Sequence, residues 1–68
     1  HIPLVRVGEG ELRRVQNGNP LYARSLLEAP QAREGIVRVY VGDAFAGMGE
    51  FQEDGSVRFR AMLLEKRL

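Results

Sequence analysis

Two turn dipeptides in the second half of this chain constrain its fold more than any other feature. Gly42-Asp43 follows the β-branched run Ile36–Val41 and leads into the stretch 44–52; Asp54-Gly55 then leads into the stretch 56–64. Apolar runs joined by a two-residue turn of this kind read as a tight hairpin, and the second turn adds a third strand. Upstream, Ile2 to Val7 is another short β-branched run, stopped by Gly8. Strands arriving roughly every 10 residues with one short helix among them favour a small barrel over a layered α/β fold. The expectation is a mainly β domain with one short helix (α+β).

The helix is expected over Glu9–Asn17. Glu9 and Glu11 occupy its first turn, where acidic side chains suit the helix dipole, and Leu12 and Val15, three apart, mark its buried side. Asn17-Gly18 supplies a left-handed stop and Asn19-Pro20 prevents continuation. Leu21 to Arg24 reads as extended, and Ser25 to Glu34, with mixed polarity and no period, as a surface loop with at most one helical turn. In the last strand Val57, Phe59, Ala61 and Leu63 alternate inward while Arg58, Arg60 and Met62 face out. Two strand rises set the two arginines about 6.6 Å apart on the exposed face.

Length and composition narrow the function. With 68 residues there is room for one domain, spanning residues 1–68. A chain this short buries only roughly 60% of the surface its unfolded form exposes. There is no Cys to form a disulfide or ligate a structural metal, while 44% apolar content is that of a folded domain. No apolar run is long enough to cross a membrane, and with no basic stretch followed by an apolar one no signal peptide is expected. His1, standing where an initiator Met would be, points to a piece of a longer chain.

Catalytic groups are scarce. Gly8-Glu9-Gly10 opens a helix after a strand, but the third glycine of a dinucleotide fingerprint would fall at position 13, which is Arg13. Gly47-Met48-Gly49 lies mid-strand with no Lys, Ser or Thr after it, so it reads as a bulge, bend or close backbone approach. His1 stands alone at a terminus, Ser25 and Ser56 have no His to activate them, and Glu53-Asp54 is a solvated turn pair. No metal-ligand spacing occurs. The chain by itself reads as a non-enzyme without a cofactor.

What remains is a basic and polar surface. The formal net charge is only +1, yet nine of the ten basic residues are Arg, whose planar fork suits phosphates. Arg13 and Arg14 lie on the helix, Asn17, Gly18 and Asn19 form its C-terminal loop, Tyr22 and Arg24 follow, and Arg58 and Arg60 lie on the last strand. Guanidinium groups, asparagine amides and free loop N–H groups suit phosphates and 2′-hydroxyls. Tyr22 reads as a core or rim residue before it reads as a stacking platform. Taken alone, the residues leave RNA binding and protein interaction equally open. The second would use an apolar patch of Tyr40, Phe45 or Leu64, and a purely structural bracing role is a third reading.

One resemblance separates these. Asn17-Gly18-Asn19-Pro20, then Gly35-Ile36-Val37-Arg38-Val39, then the stretch 45–51, FAGMGEF, and the stretch 54–63, DGSVRFRAML, follow one another in the order and spacing of a known domain. Over about Ile2 to Leu64 the chain resembles the C-terminal PUA domain of bacterial tRNA pseudouridine synthases of the TruB type, which modify the T-loop uridine. The resemblance implies a PUA-type pseudo-barrel of five to six strands. It also implies an accessory tRNA-binding role beside an upstream catalytic domain that carries the catalytic aspartate. A monomeric, cytoplasmic protein whose partners are tRNA and that upstream domain follows from the same likeness. Carried onto matching positions, it points to Arg13, Arg14, Asn17, Gly18, Asn19, Arg24, Arg58 and Arg60 as RNA-binding residues.

Overall fold

The computed structural model describes residues 1–63. Leu64, expected both to end the last strand and to join an apolar patch, lies outside them. The described chain runs through β1 (Leu4–Val7), a 3-10 turn at Glu9–Glu11, α1 (Leu12–Gln16), and a second 3-10 turn at Ala23–Ser25. Then come β2 (Ile36–Val41), β3 (Ala44–Phe51) and β4 (Val57–Met62). The strands form one sheet in the order β1-β2-β3-β4. β1 runs parallel to β2, Val5 beside Val39 and Val7 beside Val41, and β2, β3 and β4 form an antiparallel meander.

The period-two pattern accounts for the core. Val5, Val7, Val37, Val39 and Val41 alternate onto the inner face, where Val15 of α1, Leu21, Ala46, Phe51 and Val57 complete a cluster of ten buried residues. The core is thus mostly valine, the side chain whose β-branching fits a pleated surface and stiffens χ1. Burying each such side chain contributes roughly 1.5–3 kcal/mol.

The mainly β character with a single short helix is as the sequence reading expected. Four strands form the sheet, against the five to six that the resemblance implied, and two isolated bridges add to it: Leu21, in the stretch read as extended, pairs with Val57, and Glu28, in the stretch read as a surface loop, pairs with Arg6. These bridges lie on the two edge strands, β4 and β1. The stretch 21–28 therefore reaches from one edge of the sheet to the other, and both edges gain backbone partners that an open sheet would leave free. Leu21 and Val57 exchange two hydrogen bonds of 2.9 Å, while Arg6 N–H donates to the Glu28 carbonyl at 2.9 Å and Leu27 N–H to the Arg6 carbonyl at 2.8 Å. That closure gives the domain its barrel-like form.

Two bulges lie beside Gly47 and Gly49, where the sequence allowed one, and the second corrects the expected sides of the last strand. Val39 pairs with Gly47 but Tyr40 with Phe45, so Ala46 is extra on β3; Met48 pairs with Ala61 but Gly49 with Phe59, so Arg60 is extra on β4. Past the second bulge the alternation slips. Met62, expected outside, packs against the core, while Ala61 and Leu63, expected inside, are exposed. An extra residue shifts every later side chain to the opposite face. Gly47 makes the geometry possible: it adopts φ 149°, and a Cβ there would lie 2.1 Å from the Ala61 carbonyl oxygen.

Leu12 is the other correction. It is exposed, while Val15 alone anchors α1 in the core. The chain enters through the 3-10 turn at Glu9–Glu11, and five residues of α-helix leave room for one buried anchor. Leu12 instead borders a groove of about 490 Å³ shared with Glu9, Val41, Asp43 and Ala44.

Candidate nucleic-acid interface

The basic residues singled out by sequence come from α1, the segment after it, and β4. All of these pieces meet at one seam, because the Leu21–Val57 bridge ties the chain leaving α1 to the start of β4. Antiparallel pairing at that bridge sets Pro20 across from Arg58. Arg14 reaches the same place, its Nη1 donating to the Pro20 carbonyl at 3.4 Å. The segment leaving the helix thus links Arg14 of α1 to the start of the last strand.

The loop between them is tightly made. Gly18 takes φ 73°, its N–H donates to the Val15 carbonyl at 2.9 Å, and the Asn19 N–H donates to the Arg14 carbonyl at 3.1 Å. This is a Schellman closure of α1, and Asn17 N–H is also used, donating to the Arg13 carbonyl at 3.0 Å. The expectation of free backbone N–H groups at Asn17, Gly18 and Asn19 is therefore corrected: α1's own terminal carbonyls take them. What this loop presents to solvent is the pair of asparagine side chains, with Gly18 holding the reversal between them.

The arginines differ in how much of their charge is spoken for. Arg60 Nη1 pairs with Glu50 Oε1 at 2.7 Å, and Arg14 Nε stands 3.8 Å from Glu11 Oε1. Arg13, Arg24 and Arg58 form no ion pair with any acid among the described residues. Arg58 and Arg60 line a shallow depression of about 390 Å³ with Glu50, Gln52 and Phe59. Arg58 and Arg60 both reach solvent by the strand's period of two, which holds as far as the bulged residue Arg60, and they flank the partly buried Phe59.

Tyr22, read from sequence as core or rim, is at the rim, 42% exposed. Its ring carries two guanidinium groups, Arg14 with Cζ 4.6 Å from the centroid and Arg24 at 4.4 Å. The sequence signal for this placement is the neighbour: Leu21 is wholly buried, so the next side chain of an extended segment faces out.

On the outer face of the sheet, Tyr40 and Phe45 touch with centroids 5.4 Å apart. The patch is capped by cations, since Arg6 and Arg38 lie over the Tyr40 ring at 5.1 and 5.9 Å. Both arginines are also fixed by the fold. Arg6 binds Glu28 at 2.9 Å, Asp43 at 3.5 Å and the Gly42 carbonyl; Arg38 Nε donates to the Ile2 carbonyl at 2.9 Å. The hydrogen bond from Arg6 to Glu28 holds its guanidinium still more firmly protonated. These groups staple β1, the Gly42-Asp43 turn and the start of the chain.

Among the described residues no group of three or more His, Cys, Asp or Glu is placed to hold a metal ion, and no helix is long and apolar enough to cross a membrane. A search of curated proteins finds no match to the chain. A family model described as pseudouridine synthase II TruB, C-terminal, matches residues 3–63 of the 68. That span takes in every strand, α1 and the closing segment just described, and the chain belongs to the family of TruB pseudouridine synthase C-terminal domains.

Proposed function

We propose that this domain is the accessory, PUA-type tRNA-binding part of a tRNA pseudouridine synthase. It holds the RNA backbone while a separate catalytic domain isomerises the uridine, and acts as a monomer in the cytoplasm without chemistry of its own. The observation that carries the reading is the seam between α1 and β4. Arg13, Arg14, Arg24, Arg58 and Arg60 are presented on its elements beside the asparagine side chains of Asn17 and Asn19, and three of the five guanidiniums have no acid partner among the described residues. Guanidinium and amide groups that track phosphates and 2′-hydroxyls recognise RNA by shape and charge. With a net charge of only +1, the domain assists binding rather than dominating it.

The test is tRNA affinity measured across salt concentration. Each phosphate contact contributes about 0.7 to 0.9 to the slope of log K against log salt. The double variant Arg58→Ala, Arg60→Ala should weaken binding and flatten that slope. Unchanged affinity and slope would remove β4 from the interface.

A second reading, a brace against a neighbouring protein domain, is favoured by the groove of Leu12, Val41 and Ala44 rimmed by Glu9 and Asp43. Its apolar floor and acidic rim suit a protein surface and repel phosphate. The two readings use different faces and are compatible.

A further inference from the structure

Tyr22 and its two arginines form the most organised side-chain cluster that the fold itself does not use. The ring sits on a rigid mount. Leu21 before it is locked to Val57, and the Tyr22 carbonyl accepts the Ser25 N–H at 2.9 Å, opening the 3-10 turn that carries Arg24. Arg14 comes from α1, whose C-terminus is closed by the Schellman turn and whose guanidinium also touches the Pro20 carbonyl. Two backbone segments, α1 and the stretch 21–25, thus bring their arginines to one aromatic ring.

The charges in this cluster are poorly balanced. With guanidinium carbons 4.6 and 4.4 Å from a common centroid, the two cations stand no farther apart than the sum of those distances. That is within the screening length of about 10 Å at 0.1 M salt, so at that ionic strength and below they repel. Arg24 has no acid partner among the described residues, and Glu11 reaches Arg14 only at 3.8 Å. The ring's quadrupole holds both cations, but an anion placed between or beside them removes the repulsion and adds charge-assisted hydrogen bonds. The ring holds both guanidiniums over it; Arg24 makes no side-chain hydrogen bond among the described residues, and Arg14 keeps the N–H groups that its bond to the Pro20 carbonyl does not use, so both have donors for phosphate oxygens.

We infer that Tyr22 is the positioning residue of a phosphodiester clamp: by stacking under Arg14 and Arg24 it orients both guanidiniums to bind phosphate oxygens of an RNA backbone. This inference rests on the tRNA-binding reading above and adds to it a residue and a geometry. Tyr22 acts through the two arginines, so its hydroxyl is dispensable and its ring is not.

The experiment follows the arginine Nε–Hε resonances of the 68-residue chain during titration with a tRNA transcript and, separately, with inorganic pyrophosphate. Both ligands should shift Arg14 and Arg24 together. In tRNA binding, Tyr22→Phe should stay within about two-fold of wild type and Tyr22→Leu should lose about five-fold or more. Arg24→Ala should cost less in the Tyr22→Leu background than in wild type, the non-additivity expected of groups acting as a unit. Arg24→Lys, which keeps the charge and loses the planar stack, should also weaken binding. Equal costs of Arg24→Ala in both backgrounds, or wild-type affinity in Tyr22→Leu, would overturn the clamp. If tRNA shifts Arg58 and leaves Arg14 and Arg24 unmoved, the clamp is wrong and the tRNA reading stands. If pyrophosphate shifts both while tRNA binds nowhere, the clamp stands as an anion site and the tRNA reading falls.

Discussion

Replacing Gly47 with alanine should nearly unfold this domain, and the structure says why. A Cβ at that position would lie 2.1 Å from the Ala61 carbonyl oxygen and 3.1 Å from both the Ala61 carbonyl carbon and the Met62 Cα. Every one of these atoms is backbone, so no side chain can rotate away. To restore even a close carbon–oxygen contact, β4 would have to retreat by about 1 Å, which costs ladder hydrogen bonds worth about 1 kcal/mol each. The φ of 149° adds a further cost of about 1–3 kcal/mol for any residue with a Cβ. Together these reach at least about 3 kcal/mol, while a chain of 68 residues has a total stability of about 3–10 kcal/mol. Urea unfolding followed by circular dichroism should show the midpoint falling sharply or the transition vanishing. In a thermal scan the loss corresponds to about 12 °C or more. Gly10→Ala is the control: it has no positive φ and nothing within 4 Å of an added Cβ, so its stability should match wild type. A Gly47→Ala variant within about 1 kcal/mol of wild type would refute the bulge geometry at the centre of the β3–β4 pairing.

Gly49→Ala should be milder, about 1–3 kcal/mol, because the closest obstruction is the Val57 Cγ1 at 2.6 Å, a side-chain atom. Adding Val57→Ala should make the pair less costly than the sum of the singles in a double-mutant cycle of urea midpoints. Ser56 donates from its hydroxyl and its N–H to Asp54 Oδ1, and the hydroxyl bond chiefly holds the Asp54 carboxyl below its ordinary pKa. A depressed folded-state pKa contributes stability that is full above the unfolded value of about 3.9 and is lost as pH falls through the lower folded value. Ser56→Ala should therefore flatten the acid end of the stability–pH curve and leave its shape near neutrality unchanged. Glu50→Gln removes the exposed partner of Arg60, so stability should change by at most about 1 kcal/mol. Its tRNA affinity at low salt should rise, with a steeper salt slope measured by filter binding.

Much of the fold could be read from the residues because local rules decided it. Ile36–Val41 has one β-branched run and one turn dipeptide after it, and β2 begins and ends there. The parallel pairing of β1 with β2 and the edge-to-edge closure by the stretch 21–28 depend on distant partners, which periodicity cannot supply. The bulge at Arg60 was hidden for the same reason: Gly47 and Gly49 announced a distortion, but not which side of β4 Ala61 and Met62 would take. The fate of the loop N–H groups was legible and missed. A glycine at the left-handed position after a helix implies that the following amides return to the helix carbonyls. Charge pairing of Arg60 with Glu50 needs the β3–β4 register, and the stacking of Arg14 and Arg24 on Tyr22 needs α1 folded back against the segment after it. The sequence therefore named the basic residues, while the tertiary pairing decided which of them keep their charge available.

The central claim is that one seam, α1 with its loop and β4, meets the RNA. A backbone amide titration of the 68-residue chain with a tRNA transcript, read residue by residue, tests it most directly. The account predicts shifts clustered at Arg13 to Asn19, at Tyr22 to Arg24 and at Arg58 to Arg60, fading as salt is raised. Shifts confined to Glu9, Leu12, Val41 and Ala44, or to the Tyr40–Phe45 face, would contradict it.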